Sequence, residues 1–152
     1  MKESRIIIVE DNAGDVLFVR EALKYQGITF SLQHYVNGND AVQGLDGMRE
    51  PPDLILLDIN LPRVNGFEIL KMVRNHSILA KVPVAIVTSS VAAVDKTTAK
   101  QLGADSYIVK PSDYEEFVSQ VGGEFARLLQ HQAGESGPHP NLYGLGDCSD
   151  RS

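Results

Sequence analysis

Leu54-Ile55-Leu56-Leu57-Asp58-Ile59-Asn60-Leu61-Pro62 decides how this chain folds. Four aliphatic residues in a row are too many for a strand with one wet face. Such a run is a strand covered on both sides, as in a parallel sheet, and it ends here in a carboxylate and a turn. Working outward, Ile6–Val9 and Val84–Val87 repeat the pattern, and Tyr107–Val109 adds a shorter run. Phe30–Val36 alternates instead, with Ser31, Gln33 and Asn37 among apolar neighbours, which suits an edge position.

Helical periodicity fills the gaps. Asp15–Gln26 carries Val16, Val19 and Leu23 on one face and stops at Gly27. Asp40–Leu45 is short. Phe67–Arg74 offers Phe67, Leu70 and Val73. Val91–Leu102 offers Val91, Val94, Thr98 and Leu102 before Gly103, although its Val and Thr content makes it a weak helix. Asp113–Leu129 carries Phe117, Val121, Phe125 and Leu128, with the pair Gly122-Gly123 predicting a weak point or bend. Strand alternating with helix five times predicts an α/β domain: a doubly wound five-stranded parallel sheet with helices on both faces and right-handed crossovers.

The chain has 152 residues, 43% of them hydrophobic, enough for one domain with a real core. Residues 1–132 are expected to form it. Residues 133–152 hold four of the 13 glycines and two of the seven prolines, and read as a flexible tail too short for a DNA-binding module. With 14 Lys+Arg against 20 Asp+Glu the net charge is −6, which argues against a nucleic-acid face. No apolar run approaches the roughly 20 residues that cross a bilayer, and the N-terminus lacks a signal-peptide pattern. The single cysteine, Cys148, cannot form an internal disulfide, so a reducing, cytoplasmic setting is expected.

In an open parallel sheet, ligands bind outside the carboxyl ends of the strands. Glu10-Asp11-Asn12 follows the first apolar run, Asp58 the third, Thr88-Ser89-Ser90 the fourth and Lys110-Pro111 the fifth. Three carboxylates brought together would repel and take up protons unless a hard divalent cation such as Mg²⁺ sat among them. A carboxylate nucleophile, a cation, an amine and a hydroxyl make a site for phosphoryl transfer. The chain has no glycine-rich phosphate loop, so no nucleotide is indicated.

Val9-Glu10-Asp11-Asn12, Leu56-Leu57-Asp58-Ile59-Asn60-Leu61-Pro62 with Asn65-Gly66, Val87-Thr88-Ser89 and Val109-Lys110-Pro111 resemble the receiver (response-regulator) domain of two-component signalling over about residues 4–132. The resemblance implies the flavodoxin-like strand order 2-1-3-4-5. It implies that Asp58 accepts a phosphoryl group from a sensor histidine kinase or phosphotransfer protein, with only self-directed transfer and dephosphorylation as activity. Mg²⁺ would be held by Asp11, Asp58 and the Asn60 backbone carbonyl, with Glu10 acting directly or through water. Lys110 would bind the acyl phosphate. Thr88 would swing toward the phosphate and Tyr107 turn inward behind it, biasing a two-state surface. Asn60 and Ser90 would tune the phosphoryl lifetime, and Lys110-Pro111 would be cis. Glu10-Asp11-Asn12-Ala13-Gly14-Asp15-Val16 is also similar to small regulators paired with phytochromes, which form homodimers through the last helix–strand–helix face.

Other readings compete. A pseudo-receiver would keep the fold as an interaction module without carrying phosphate. A haloacid-dehalogenase-type phosphatase wants a second Asp where Asn60 stands, and a flavin phosphate would be repelled by Glu10 and Asp11. Tyr107 reads equally as a static, half-buried aromatic. Asp15 reads as a helix-start charge. His34, His76, His131 and His139 lack metal-ligand spacing and read as structural or solvent-facing, and Cys148 as incidental.

Overall fold

A computed structural model describes residues 2–132. The expected tail, with His139 and Cys148, lies outside the described residues, as does the side chain of His131. The elements alternate as anticipated: β1 Ser4–Val9, α1 Ala13–Tyr25, β2 Phe30–Tyr35, α2 Gly38–Asp46, β3 Leu54–Leu57, α3 Gly66–Asn75, β4 Val84–Thr88, α4 Ala93–Gln101 and β5 Ser106–Val109. The last helix, α5, runs continuously over 114–132. It has a first turn at Tyr114–Glu116, a π-helical stretch Phe117–Val121 and a final segment Gly122–Gln132.

All strand pairs are parallel, in the order β2-β1-β3-β4-β5. The continuous runs of β1, β3 and β4 bury both faces, while the alternating β2 lies at an edge. One face packs Ile6, Ile8, Leu54, Leu56 and Val87 against Val16, Val19 and Leu23 of α1 and Phe117, Val121, Phe125 and Leu128 of α5. The other packs Ile7, Val9, Ile55, Leu57 and Ile86 against α2 and α3, chiefly Leu45, Ile69, Leu70 and Val73. Helix ends obey local chemistry: Gly27 and Gly103 take φ of 73° and 96° just past α1 and α4, a conformation that L side chains resist. At the amino ends of the strands, Arg74 bonds the carbonyls of Gly103, Ala80 and Val82 and the Asp105 carboxylate, tying α3 to the loops before β4 and β5.

Three expectations need correction. The stripe assigned to the fourth helix holds only at its end, where Leu102 packs against the core: Val91 and Val94 are 72% and 68% exposed, and α4 itself buries only Ala99. The helix meets the core through Ala99, and its first turn is tied to the preceding loop by the Ser90–Asp95 hydrogen bond. The disturbance near Gly122-Gly123 is a π-helical turn just before the pair, and the helix then continues. The described residues contain no cis peptide bond, so Lys110-Pro111 is trans, the form X–Pro bonds favour by about 0.5–1 kcal/mol.

The two glycines of α5 are not equivalent. A Cβ on Gly122 would lie 2.8 Å from the Ala22 carbonyl oxygen of α1, whereas one on Gly123 would meet nothing within 4 Å. Gly122→Ala should therefore cost about 1–3 kcal/mol by overpacking. Gly123→Ala should gain up to about 1 kcal/mol from helix propensity. Urea denaturation of the two variants checks the opposite signs.

Candidate functional site

Sheet hydrogen bonding delivers four strand ends to one place. Asp58 N–H donates to Val9 O at 3.1 Å and Lys110 N–H to Thr88 O at 2.8 Å, so the residues after β1, β3 and β5 continue the ladder past the strands. Glu10 and Asp58 are buried at 3% and 6% exposure, and Thr88 is fully buried. Asp11, one residue on, is exposed.

Lys110 is the centre of the arrangement. Its ammonium donates to Asp15 Oδ2 at 2.7 Å, Glu10 Oε1 at 2.9 Å and Asp58 Oδ2 at 3.2 Å. Desolvation by itself would lower the lysine's pKa, but Asp15, Glu10 and Asp58 outweigh it and hold the amine protonated well above its usual range. Glu10 goes the other way. Burial pushes its carboxyl up to about 7, helped by the Asp58 charge and only partly offset by Lys110.

Carboxylate oxygens of Glu10, Asp11 and Asp58 lie within 4.8 Å of one another, a donor set of hard oxygens suited to a divalent cation such as Mg²⁺. The raised Glu10 pKa is mainly the effect of burial, with the Asp58 charge adding to it. The loop after β3 is shaped to serve this cluster. Asn60 N–H bonds Asp58 Oδ1 at 3.0 Å. A Cβ on Gly66 would lie 2.3 Å from the Asp58 carbonyl oxygen, so only glycine lets α3 start this close. Arg63 is the non-glycine among the described residues held in the left-handed region, at φ 73°, a local strain beside the site.

A second set of bonds leads from the site to α4. The Thr88 hydroxyl accepts from Asn60 Nδ2 and from Ser90 N–H, both at 3.3 Å. Ser90 Oγ donates to Asp95 Oδ2 at 2.6 Å and accepts from Ala92 N–H, securing the first turn of α4. Tyr107 is 1% exposed and its hydroxyl donates to the Ser90 carbonyl at 3.0 Å. The ring is thus fully inside, more buried than the half-buried aromatic anticipated as one reading.

Glu10, Asp11, Asp58 and Lys110 therefore meet as the sequence suggested, with Thr88 and Asn60 alongside. Ser90 touches Thr88 through its backbone, while its hydroxyl is committed to α4. Asp15 stands in the first turn of α1, as a helix-start charge should, but its carboxylate also makes the shortest of the Lys110 contacts, which the reading of the sequence did not include. No helical periodicity could have found it, because α1 begins only at Ala13, after Glu10 and Asp11. His34 is structural: its Nε2 bonds the Glu10 carbonyl at 2.6 Å.

The model of the response regulator receiver domain matches residues 6–122. The response regulator ArlR of Staphylococcus epidermidis is 34% identical over 119 residues, 78% of this chain and 51% of that protein. The transcriptional regulatory protein TrcR of Mycobacterium tuberculosis is 33% identical over 145 residues, 95% of this chain and 52% of its own. The chain thus spans about half the length of the curated relatives it matches. Among solved structures, the phosphorylated cyanobacterial phytochrome response regulator RcpA superposes with a TM-score of 0.75 at 26% identity, covering 88% of this chain and 98% of that one. The Mn²⁺-bound response regulator Rcp1 gives 0.76 at 29%, covering 84% and 95%.

The titration of Glu10 has a fixed sign. Its proton is held more tightly in the folded metal-free protein (about 7) than at the ordinary value of 4.5, so stability falls as pH rises between those values. Lys110, raised above 10.5, adds stability that is lost only above that pH and does not enter this window. In chelator, the unfolding free energy from urea denaturation should fall between pH 5 and pH 8 by on the order of 2 kcal/mol more for the parent than for Glu10→Gln.

Proposed function

This chain belongs to the response regulator receiver domain family of two-component signalling, and on that premise we propose that Asp58 accepts a phosphoryl group from a sensor histidine kinase or phosphotransfer protein. The observation that carries the reading is the convergence of a buried carboxylate, an acidic cation cage and a protonated amine within hydrogen-bonding reach. An Asp58 carboxylate oxygen attacks phosphorus, the bond from phosphorus to the donor's nitrogen or oxygen breaks, and an acyl phosphate forms. Lys110 donates to the transferred group and neutralises part of its charge. Glu10, Asp11 and Asp58, with the Asn60 carbonyl, would hold Mg²⁺, which would offset the negative charge of the phosphoryl oxygens. Such catalysis is positioning and charge neutralisation, and the chain acts on no substrate but itself.

Thr88 is placed to report the event. Its hydroxyl is linked to Asn60 on one side and Ser90 on the other, and Ser90 holds both Tyr107 and Asp95. A Thr88 side chain that swings to donate to the phosphoryl group would carry its oxygen away from the Asn60 amide and the Ser90 N–H, breaking this chain at its first link and loosening the start of α4. We read residues 1–132 as the unit that carries this switch. Asn60 and Ser90, flanking the acyl phosphate, are assigned the tuning of its lifetime. The similarity to RcpA and Rcp1, with the run Glu10-Asp11-Asn12, favours a phytochrome as the cognate kinase. The exposed Val91 and Val94 support a homodimer through the face made by α4, β5 and α5.

Incubation with acetyl phosphate and Mg²⁺ should add the mass of one phosphoryl group, and Asp58→Asn should abolish the gain. Failure of the parent to gain mass would favour a non-phosphorylated interaction module. Sedimentation should show a larger species with beryllofluoride than without, and Val94→Asp should keep the protein monomeric in both.

A further inference from the structure

Asp15 is the one member of the Lys110 cluster that neither the cation cage nor the phosphoryl acceptor needs. Its carboxylate oxygen is 2.7 Å from the amine, closer than Glu10 at 2.9 Å or Asp58 at 3.2 Å. An ammonium has three N–H donors and no more, and these three contacts use them all. Asp15 is held in place by its own backbone N–H, which donates to Asn12 Oδ1 at 3.0 Å and starts α1. Val19, Leu57, Val87 and Phe117 wall the space beneath the amine, so its donors pass between acceptors of the protein and are not readily lent to water.

A phosphoryl group on Asp58 brings new anionic oxygens that must draw a donor from Lys110. One of three existing contacts has to give, and the tightest of them pulls toward α1, away from Asp58. Asp15 also adds a fourth carboxylate beside Glu10, Asp11 and Asp58, and so repels an anionic phosphodonor. Both effects have the same sign. We propose that Asp15 is a positioning residue that restrains phosphorylation by competing for the Lys110 amine. The proposal rests on the reading of Asp58 as phosphoacceptor and deepens it: the resting site is braked by one of its own carboxylates.

Two measurements on the full chain test this. Asp15→Asn should take phosphate from acetyl phosphate about three- to tenfold faster than the parent at saturating Mg²⁺, as expected when a charge-assisted hydrogen bond becomes a neutral one. Asp15→Glu, which keeps the charge, should return the rate toward that of the parent. Separately, in chelator, urea denaturation of Asp15→Asn, Lys110→Met and the double variant should show that the two residues couple, changing the folding equilibrium together less than the product of the single effects. A purely structural role for Asp15 at the helix start gives no such coupling. An unchanged or slower rate in Asp15→Asn, or independent effects in the cycle, overturns the brake. A parent that refuses phosphate while the coupling is present shows that the acceptor assignment has failed, and the brake falls with it.

Discussion

A protonated amine sunk among carboxylates is the interaction on which the site depends. Burial over the apolar floor of Val19, Val87 and Phe117 disfavours the charged form of Lys110, and Asp15, Glu10 and Asp58 around it more than offset that. Those carboxylates could not be buried side by side without it. Glu10 shows the cost of the arrangement: burial, more than the neighbouring Asp58 charge, lifts its carboxyl to about 7 despite the Lys110 contact. The site is built to be completed by positive charge, and the oxygen cluster of Glu10, Asp11 and Asp58 is where a cation would fit.

This cluster constrains much of the fold around it. The contacting residues come from the carboxyl ends of β1, β3 and β5 and from the first turn of α1, and only the order β2-β1-β3-β4-β5 brings those ends together. Because β1 and β3 are neighbours, Glu10 and Asp58 follow directly on the paired residues Val9 and Leu57. Gly66 lets α3 begin against the Asp58 backbone, and the strained Arg63 turns the loop between them. The opposite end of the sheet is held by different means, the multiple bonds of Arg74 and the close crossing of α1 and α5 at Gly122. Stability and chemistry are thus placed at opposite ends of the strands.

Between the site and the surface runs a chain of contacts rather than a packed wall. Asn60, Thr88, Ser90, Tyr107 and Asp95 are linked by hydrogen bonds, two of them at 3.3 Å, into a helix that buries little apolar surface. An element held mainly by a few polar links is one that a local change of charge can shift, since few apolar contacts oppose it.

The sequence by itself determined the layers, the parallel sheet and the composition of the site. The uninterrupted runs of β1, β3 and β4 have no other stable environment than one covered on both faces, and the polar residues ending them had to share an edge. Local chemistry also placed the stops at Gly27 and Gly103. It did not reveal the burial of α4, because a helix with one deeply buried residue, Ala99, leaves no periodic stripe to read, and the stripe of Val91 and Val94 faces water. Nor did it place Asp15, whose role depends on where a lysine 95 residues away extends its amine. Periodicity records which face a residue turns to its own core. Which charge it meets across that core, and how closely, was decided only when the strands were set side by side.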